Sequence, residues 1–417
     1  MSLKQRQVVV VIDFGGRQAQ LIARRIRALH VYSEVWPHYS AWERYQAVKP
    51  QALIACASDT PGSELLDARL VEQGLPTITV PAAGISEAEL SHFLFTEARC
   101  QADWSMANFI ADVVAKIKAQ VGEAKVICGM SGGIDSAVAA VLVHKAVGKQ
   151  LTSIFVDQGL MRLGEAEEVV DIFGHQLQMQ LVAVDARQRF LDALAGVSDP
   201  EQKRKIIGTE FIRVFEEEAQ RLGDASYLVQ GTIYPDVIES GVGSGLVKSH
   251  HNVGGLPEDL AFKLVEPLRE LFKDEVREIA ALLGLPDSIV HRQPFPGPGL
   301  GVRCLGEVTA DKLEVLRQAD AIVTEEIKQA GLYRSIWQAF AVLPDVQTVG
   351  VSGGQRTYAH LIAIRAVNSV DAMAAEWTRL PYDLLERMAQ RIVAEVAGVN
   401  RVVYDITSKP PGTIEWE

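Results

Sequence analysis

Short, uninterrupted apolar runs recur along the chain, and between them apolar positions return every three or four residues. The first run covers residues 8–12, followed by an amphipathic stretch at 18–28; further runs lie near 32–36, 52–56 and 77–80. Strands apolar on both faces, alternating with helical periodicity, predict a small doubly wound parallel sheet in the first hundred residues. An amphipathic helix from 104 leads into a second series, with strands at 126–128, 151–156, 181–184 and 227–230 alternating with helices. Beyond a proline and glycine cluster at 291–306 the rhythm changes. A helix over 310–330, strands at 338–343, 348–351 and 360–366, a helix over 382–396 and a strand at 401–406 predict an α+β domain.

The fold class is therefore α/β, two parallel-sheet domains and a smaller C-terminal α+β domain, with boundaries at 1–102, 103–296 and 297–417. Its 417 residues suit roughly two to four domains. A hydrophobic content of 48% and a charged content of 23% are those of a globular protein in water. The net charge of −12 argues against a broad nucleic-acid footprint. No apolar run approaches the ~20 residues of a membrane span and the N-terminus is no secretory signal, so a cytoplasmic protein is expected. Cys56, Cys100, Cys128 and Cys304 are widely spaced, which fits neither a disulfide scaffold nor a zinc site.

Candidate chemistry concentrates at residues 126–138, VICGMSGGIDSAV, a buried strand delivered through a glycine turn into a helix. Gly132 and Gly133 let the backbone curl around an anion, and the helix opening at Ile134 adds its partial positive charge. Ser131 and Ser136 offer hydroxyls, and Asp135 a carboxylate suited to a magnesium ion riding on polyphosphate. No lysine follows, so this is not the kinase-type phosphate loop. Against an ordinary strand-to-helix turn stand the flanking apolar runs and the next strand's ending, Asp157-Gln158-Gly159. The polar run KSHHNVGGLPE at 248–258 has the composition of a binding loop.

SGGIDS in this setting resembles the pyrophosphate loop of N-type ATP pyrophosphatases, which adopt the adenine nucleotide α-hydrolase-like fold and cleave ATP between its α and β phosphates. The runs VDQGLMR, QGTIYPDVIESG, LFKDEVR, PFPGPGL and the ending SKPPGTIEWE, in this order, are similar to the GMP synthetase family over residues 103–417. That resemblance implies that Lys273 reaches the pyrophosphate, that Val156 and Phe211 flank the adenine, and that Lys203-Arg204-Lys205 belong to a loop closing over the site. It further implies that Lys409, Thr413 and Glu415 hold the nucleotide substrate with Arg303 near its phosphate, and that the C-terminal domain forms a homodimer. One departure is Gly354, where the family carries an aspartate.

The opening DFGGRQAQLIARRIRALHVYSEVWP looks like the start of that family's class I glutamine amidotransferase domain. The family sets its nucleophilic cysteine on the turn after a strand matching residues 74–80, and Pro81 stands there in this chain. The segment that would carry the family's His and Glu is missing, and His92 reads as a helix-surface residue. Residues 1–102 are thus expected to be a shortened remnant without glutaminase activity, because proline offers neither nucleophile nor N–H.

What the resemblance implies is a ligase using ATP and Mg²⁺. XMP is adenylated at O2 and then aminated by ammonia, giving GMP, AMP and pyrophosphate. Ammonia would come from solution or from a separate glutaminase subunit. Two alternatives stand beside this reading, an adenylating ligase acting on a modified purine nucleotide and a silent regulatory partner of a full-length synthetase.

Overall fold

The structure, a computed structural model, describes residues 6–15, 18–57, 66–239, 262–369 and 372–417. The 248–258 run and the last two residues of QGTIYPDVIESG lie outside the described residues. The chain forms two compact units. One is Met1–Gln120 with Gly231–Asn252 and Glu266–Leu283; the other is Val121–Gln230 with Val253–Val265 and Gly284–Glu417.

The first unit is built on strands β1 (Val9–Asp13), β2 (Ser33–Pro37), β3 (Ala52–Cys56) and β4 (Thr77–Val80), all parallel in the order β2-β1-β3-β4. The helix Gln18–Ala28 buries Ala19, Ile22, Ala23 and Ile26, the i, i+3, i+4, i+7 stripe that its sequence predicts. This core reaches beyond the first hundred residues. Tyr234 and Phe272 bury their rings in it, edge to face with centroids 5.3 Å apart. The Val35 amide donates to the Tyr234 hydroxyl at 2.5 Å. Residues 231–239 and 266–283, placed with the second domain by sequence, therefore pack with the first sheet, because their large rings and a buried ion pair find partners there.

That ion pair joins Arg27 to Glu275 at 2.6 Å. The Arg27 guanidinium also donates to the carbonyls of Glu270 and Ser33, and it lies within 5.2 Å of the ring centroids of Tyr32, Trp104, Tyr234 and Phe272. Glu275 accepts in addition from Trp104 Nε1 and from the Phe272 amide.

In the second unit, strands β5 (Lys125–Met130), β6 (Leu151–Asp157), β7 (Gln180–Asp185), β8 (Ala225–Val229) and β9 (Lys263–Val265) form a parallel sheet ordered β7-β6-β5-β8-β9. The order reverses beside β5, and ligands of open parallel sheets collect at such a switch point, beyond the carboxyl ends of the strands. The helix Ile134–Val147 that follows β5 is buried along every residue from Ala137 to Val143, so small alanines and valines suit it to the middle of the fold.

The same unit carries a mixed sheet. Here β10 (Gln338–Val342), β11 (Gln347–Ser352) and β13 (Glu376–Trp377) run antiparallel to the long β12 (Gln355–Asn368), and β14 (Val399–Asp405) runs parallel to it. A single apolar core runs from Ile127 and Phe215 to Leu316, Ile364 and Met388, so residues 284–417 pack together with the parallel sheet. Lys203, Arg204 and Lys205 sit on the helix Pro200–Leu222 rather than on a loop. Asp199 caps it and Pro200 opens it, the two strongest local start signals.

Candidate active site

The loop after β5 brings its six predicted residues into one turn. Gly132 has φ +75°, a region that favours glycine, and Gly133 is the N-cap of the helix Ile134–Val147 without any side-chain cap. No side chain at the N-cap competes for the amides of the first turn. The Ser131 and Ser136 hydroxyls lie 3.1 Å apart, Ser136 Oγ donates to the Gly133 carbonyl at 3.0 Å, and the Gly133 amide donates to Ser131 Oγ at 3.4 Å. Ile134 is buried beneath the turn and Asp135 stands in the first helical turn. A ring of hydroxyls and amides closing on one point is suited to phosphate oxygens.

The rear of this loop is held by a residue that sequence reasoning did not single out. Arg292 Nη1 donates to the Gly132 carbonyl, and Nη2 pairs with Glu165 Oε1. Glu165 Oε2 accepts the Arg162 amide at 3.1 Å, and Arg162 Nε lies 3.1 Å from Asp320 Oδ2. A Cβ on Gly132 would meet Met161 Cε at 3.2 Å and Arg292 Nη1 at 3.3 Å, so side chains fill the space behind the turn. The only local hint of Arg292 was its place within the proline and glycine cluster.

The loop after β6 is fixed from the same quarter. Asp157 Oδ1 accepts the Gly159 amide at 2.9 Å, Leu300 N donates to the Leu160 carbonyl at 2.7 Å, and Arg317 Nε donates to the Met161 carbonyl at 3.1 Å. Gly299, with φ +62°, has no room for a Cβ against the Leu160 carbonyl oxygen. The PFPGPGL run is therefore a docking segment and not a free linker. Val156 is buried in the shared core and Phe211 is half-buried against it. Lys273 opens the helix Lys273–Leu282 in the first unit, just after the buried Phe272.

In the C-terminal region, Thr413 and Glu415 line a cavity of about 530 Å³ together with Arg365, Asp405, Thr407 and Trp416. Arg365 is buried, pairs with Asp405 at 3.0 Å, and donates to the carbonyls of Thr407, Thr413 and Ile414. Arg303 does not face that cavity. It is fully buried, its Nε and Nη2 take the two Glu415 oxygens at 3.0 and 2.9 Å, and Phe340 stacks on it at 3.9 Å. Lys409 Nζ donates to the Ala372 carbonyl at 2.9 Å. Lys203 is buried and pairs with Glu417 at 2.5 Å. Gly354 forms, with Gly353, the two-residue turn between β11 and β12, and both have positive φ, as a tight hairpin requires. The aspartate's absence is thus met by turn chemistry.

Magnesium fits this donor set as a companion of polyphosphate. Such an ion needs one or two protein carboxylates, and Asp135, in the first helical turn beside the loop, has the chemistry for one. Among the described residues, no group of three His, Cys, Asp or Glu could form a cage of protein ligands. All four cysteines are free thiols and buried, and burial pushes Cys56 and Cys128 up to about 12 and Cys100 and Cys304 up to about 11. Pro81 follows β4 on the surface, and His92 lies exposed, 3.8 Å from Glu97.

Comparison with known proteins gives a consistent picture. The family described as GMP synthase C terminal domain matches residues 325–416, and the family described as NAD synthase matches residues 104–193. The glutamine-hydrolyzing GMP synthase of Syntrophomonas wolfei is 48% identical over 511 aligned positions, covering 99% of this chain and all of the relative. Enzymes of the same name from Symbiobacterium thermophilum and Clostridium novyi are 48% and 46% identical, each over 99% of this chain and over 100% and 99% of their own length.

Proposed function

The chain belongs to the GMP synthase family, and from that premise we propose that it makes GMP from XMP with free ammonia, without hydrolysing glutamine itself. The reaction class is an ATP-dependent amination by a C–N-forming ligase. The observation that carries the finer reading is the pairing of a glycine and serine cradle on β5 with the lack of any activated thiol. The cradle supports binding of the two outer phosphates of ATP through Ser131, Gly132, Gly133, Ile134 and Ser136, with Asp135 and Lys273 as the catalytic charges and Val156 and Phe211 beside the adenine. Magnesium, held by Asp135, would neutralise charge on the departing pyrophosphate.

In the first step, xanthine O2 attacks the α-phosphorus and the bond to the β-phosphate oxygen breaks. An amide-like oxygen is a poor leaving group, and adenylation turns it into AMP, a good one. Ammonia then adds at C2, a proton is lost, and AMP departs with the former O2. The protein's part is positioning and charge stabilisation. Lys409, Thr413 and Glu415 are proposed to hold XMP at the C-terminal cavity, and Arg303 to orient Glu415 for the purine N–H groups.

Loss of glutaminase activity is supported by Pro81 at the turn after β4 and by the elevated, buried state of every cysteine thiol. The alignment with the Syntrophomonas enzyme is longer than this chain, so part of that relative has no counterpart here. Ammonia would arrive from solution or from a separate glutaminase subunit. A homodimer is supported by an exposed apolar patch on the C-terminal hairpin, where Val349 faces Tyr358 across the ladder and Val351 is 78% exposed. Among the described residues no helix is long and apolar enough to cross a membrane, which accords with the proposed cytoplasmic location.

The deciding experiment supplies ATP, Mg²⁺ and XMP with ammonium or with glutamine alone, and quantifies GMP, AMP and pyrophosphate. All three are expected with ammonium and none with glutamine. Robust turnover with glutamine alone would overturn the ammonia-only reading.

A further inference from the structure

We infer that Arg292 is a positioning residue for the pyrophosphate loop, acting through the Gly132 carbonyl and tethered by Glu165. The inference rests on the phosphate-binding role proposed for that loop. A trans peptide is planar, so its C=O and the following N–H point in opposite directions. The Arg292 guanidinium draws the Gly132 carbonyl to the rear of the turn, where Met161 and Val169 close the space. The Gly133 amide must then point forward, and it does, toward Ser131 Oγ on the open side. A glycine at φ +75° has little intrinsic preference for this peptide orientation over the flipped one, so an external anchor is what selects it.

The anchor is rigid because it is buried and forked. The Arg292 and Glu165 side chains are 10% and 8% exposed. Glu165 takes Arg292 with one oxygen and the Arg162 amide with the other, and the helix Glu165–Val169 starts at that point. From Arg162 the chain of charges runs to Asp320, whose other oxygen accepts the Ala341 amide of β10 at 2.9 Å. The loop that would grip pyrophosphate is thereby tied to β10, whose Phe340 stacks on the Arg303 guanidinium that holds Glu415. Lysine could not replace Arg292, since it lacks the planar fork that serves a carbonyl and a carboxylate together.

The test measures inhibition of AMP formation by inorganic pyrophosphate, with KM for ATP and for XMP and the thermal midpoint, in the full chain. Arg292→Met is expected to raise the pyrophosphate inhibition constant and the KM for ATP about tenfold, the scale of a lost charge-assisted hydrogen bond, with KM for XMP held within about twofold. Arg292→Gln, whose amide still reaches toward a carbonyl, should recover part of the loss. The double variant Arg292→Met/Glu165→Met removes both buried charges, so its thermal midpoint should return toward wild type while pyrophosphate inhibition stays weak. Wild-type inhibition in Arg292→Met, or its return along with stability in the double variant, would overturn the inference while leaving the loop's phosphate role intact. A wild-type enzyme insensitive to pyrophosphate would defeat both.

Discussion

Arg27 Nη1 and Glu275 Oε2 lie 2.6 Å apart in the interior of the first unit, with side chains only 3% and 9% exposed. Four aromatic rings surround the guanidinium, and Glu275 also caps the amide of Phe272. Isolating either charge in such a place is far more damaging than removing both. Arg27→Met should therefore destabilise the protein by about 3–5 kcal/mol in urea unfolding, and Arg27→Met/Glu275→Met by much less. Equal losses in the single and double variants would show that the ring contacts, and not the charge pair, dominate.

Arg303 presents a fork to both oxygens of Glu415. Arg303→Lys keeps the charge but loses one of the two parallel hydrogen bonds and the flat face against Phe340. If Glu415 reads the purine, KM for XMP should rise about tenfold with KM for ATP unchanged. An unchanged KM for XMP would remove Arg303 and Glu415 from the substrate site.

The cysteines give a pH-dependent prediction. Desolvation disfavours the thiolate, so each thiol is raised to about 11 or 12. Labelling of the native chain by a thiol reagent should be slow throughout pH 7 to pH 9, rising about tenfold per pH unit without a plateau because little thiolate forms, whereas an ordinary thiol with pKa about 8.5 labels far faster and levels off near pH 9. Rapid labelling of one cysteine at neutral pH would reveal an activated nucleophile and reopen the question of glutaminase activity.

Much of the fold was legible because its strands are short apolar runs bounded by turn residues. Ala52–Cys56, Thr77–Val80 and the helix Gln18–Ala28 coincide with their sequence-predicted limits. Legibility failed where long-range packing overrides local signals. β9 has three residues, and β12 extends from Gln355, well before the apolar part of its sequence begins. The membership of the helix Lys273–Leu282 in the first core depends on Arg27, 248 positions from its Glu275 partner in sequence. Arg292 acts on a carbonyl 160 positions away. No periodicity records such a partner. The loop at 131–136 was readable because all of its donors are contiguous, whereas the Arg303 and Glu415 pair became visible only in the folded chain.

The central claim is that XMP O2 is adenylated on the way to GMP. The most direct measurement is ³¹P NMR of the AMP formed from ATP, ammonium and XMP carrying ¹⁸O at C2. The isotope should appear in the AMP phosphate, one atom for each GMP made, with unlabelled pyrophosphate as the other product. AMP without the isotope, or ADP in place of AMP, would contradict the account.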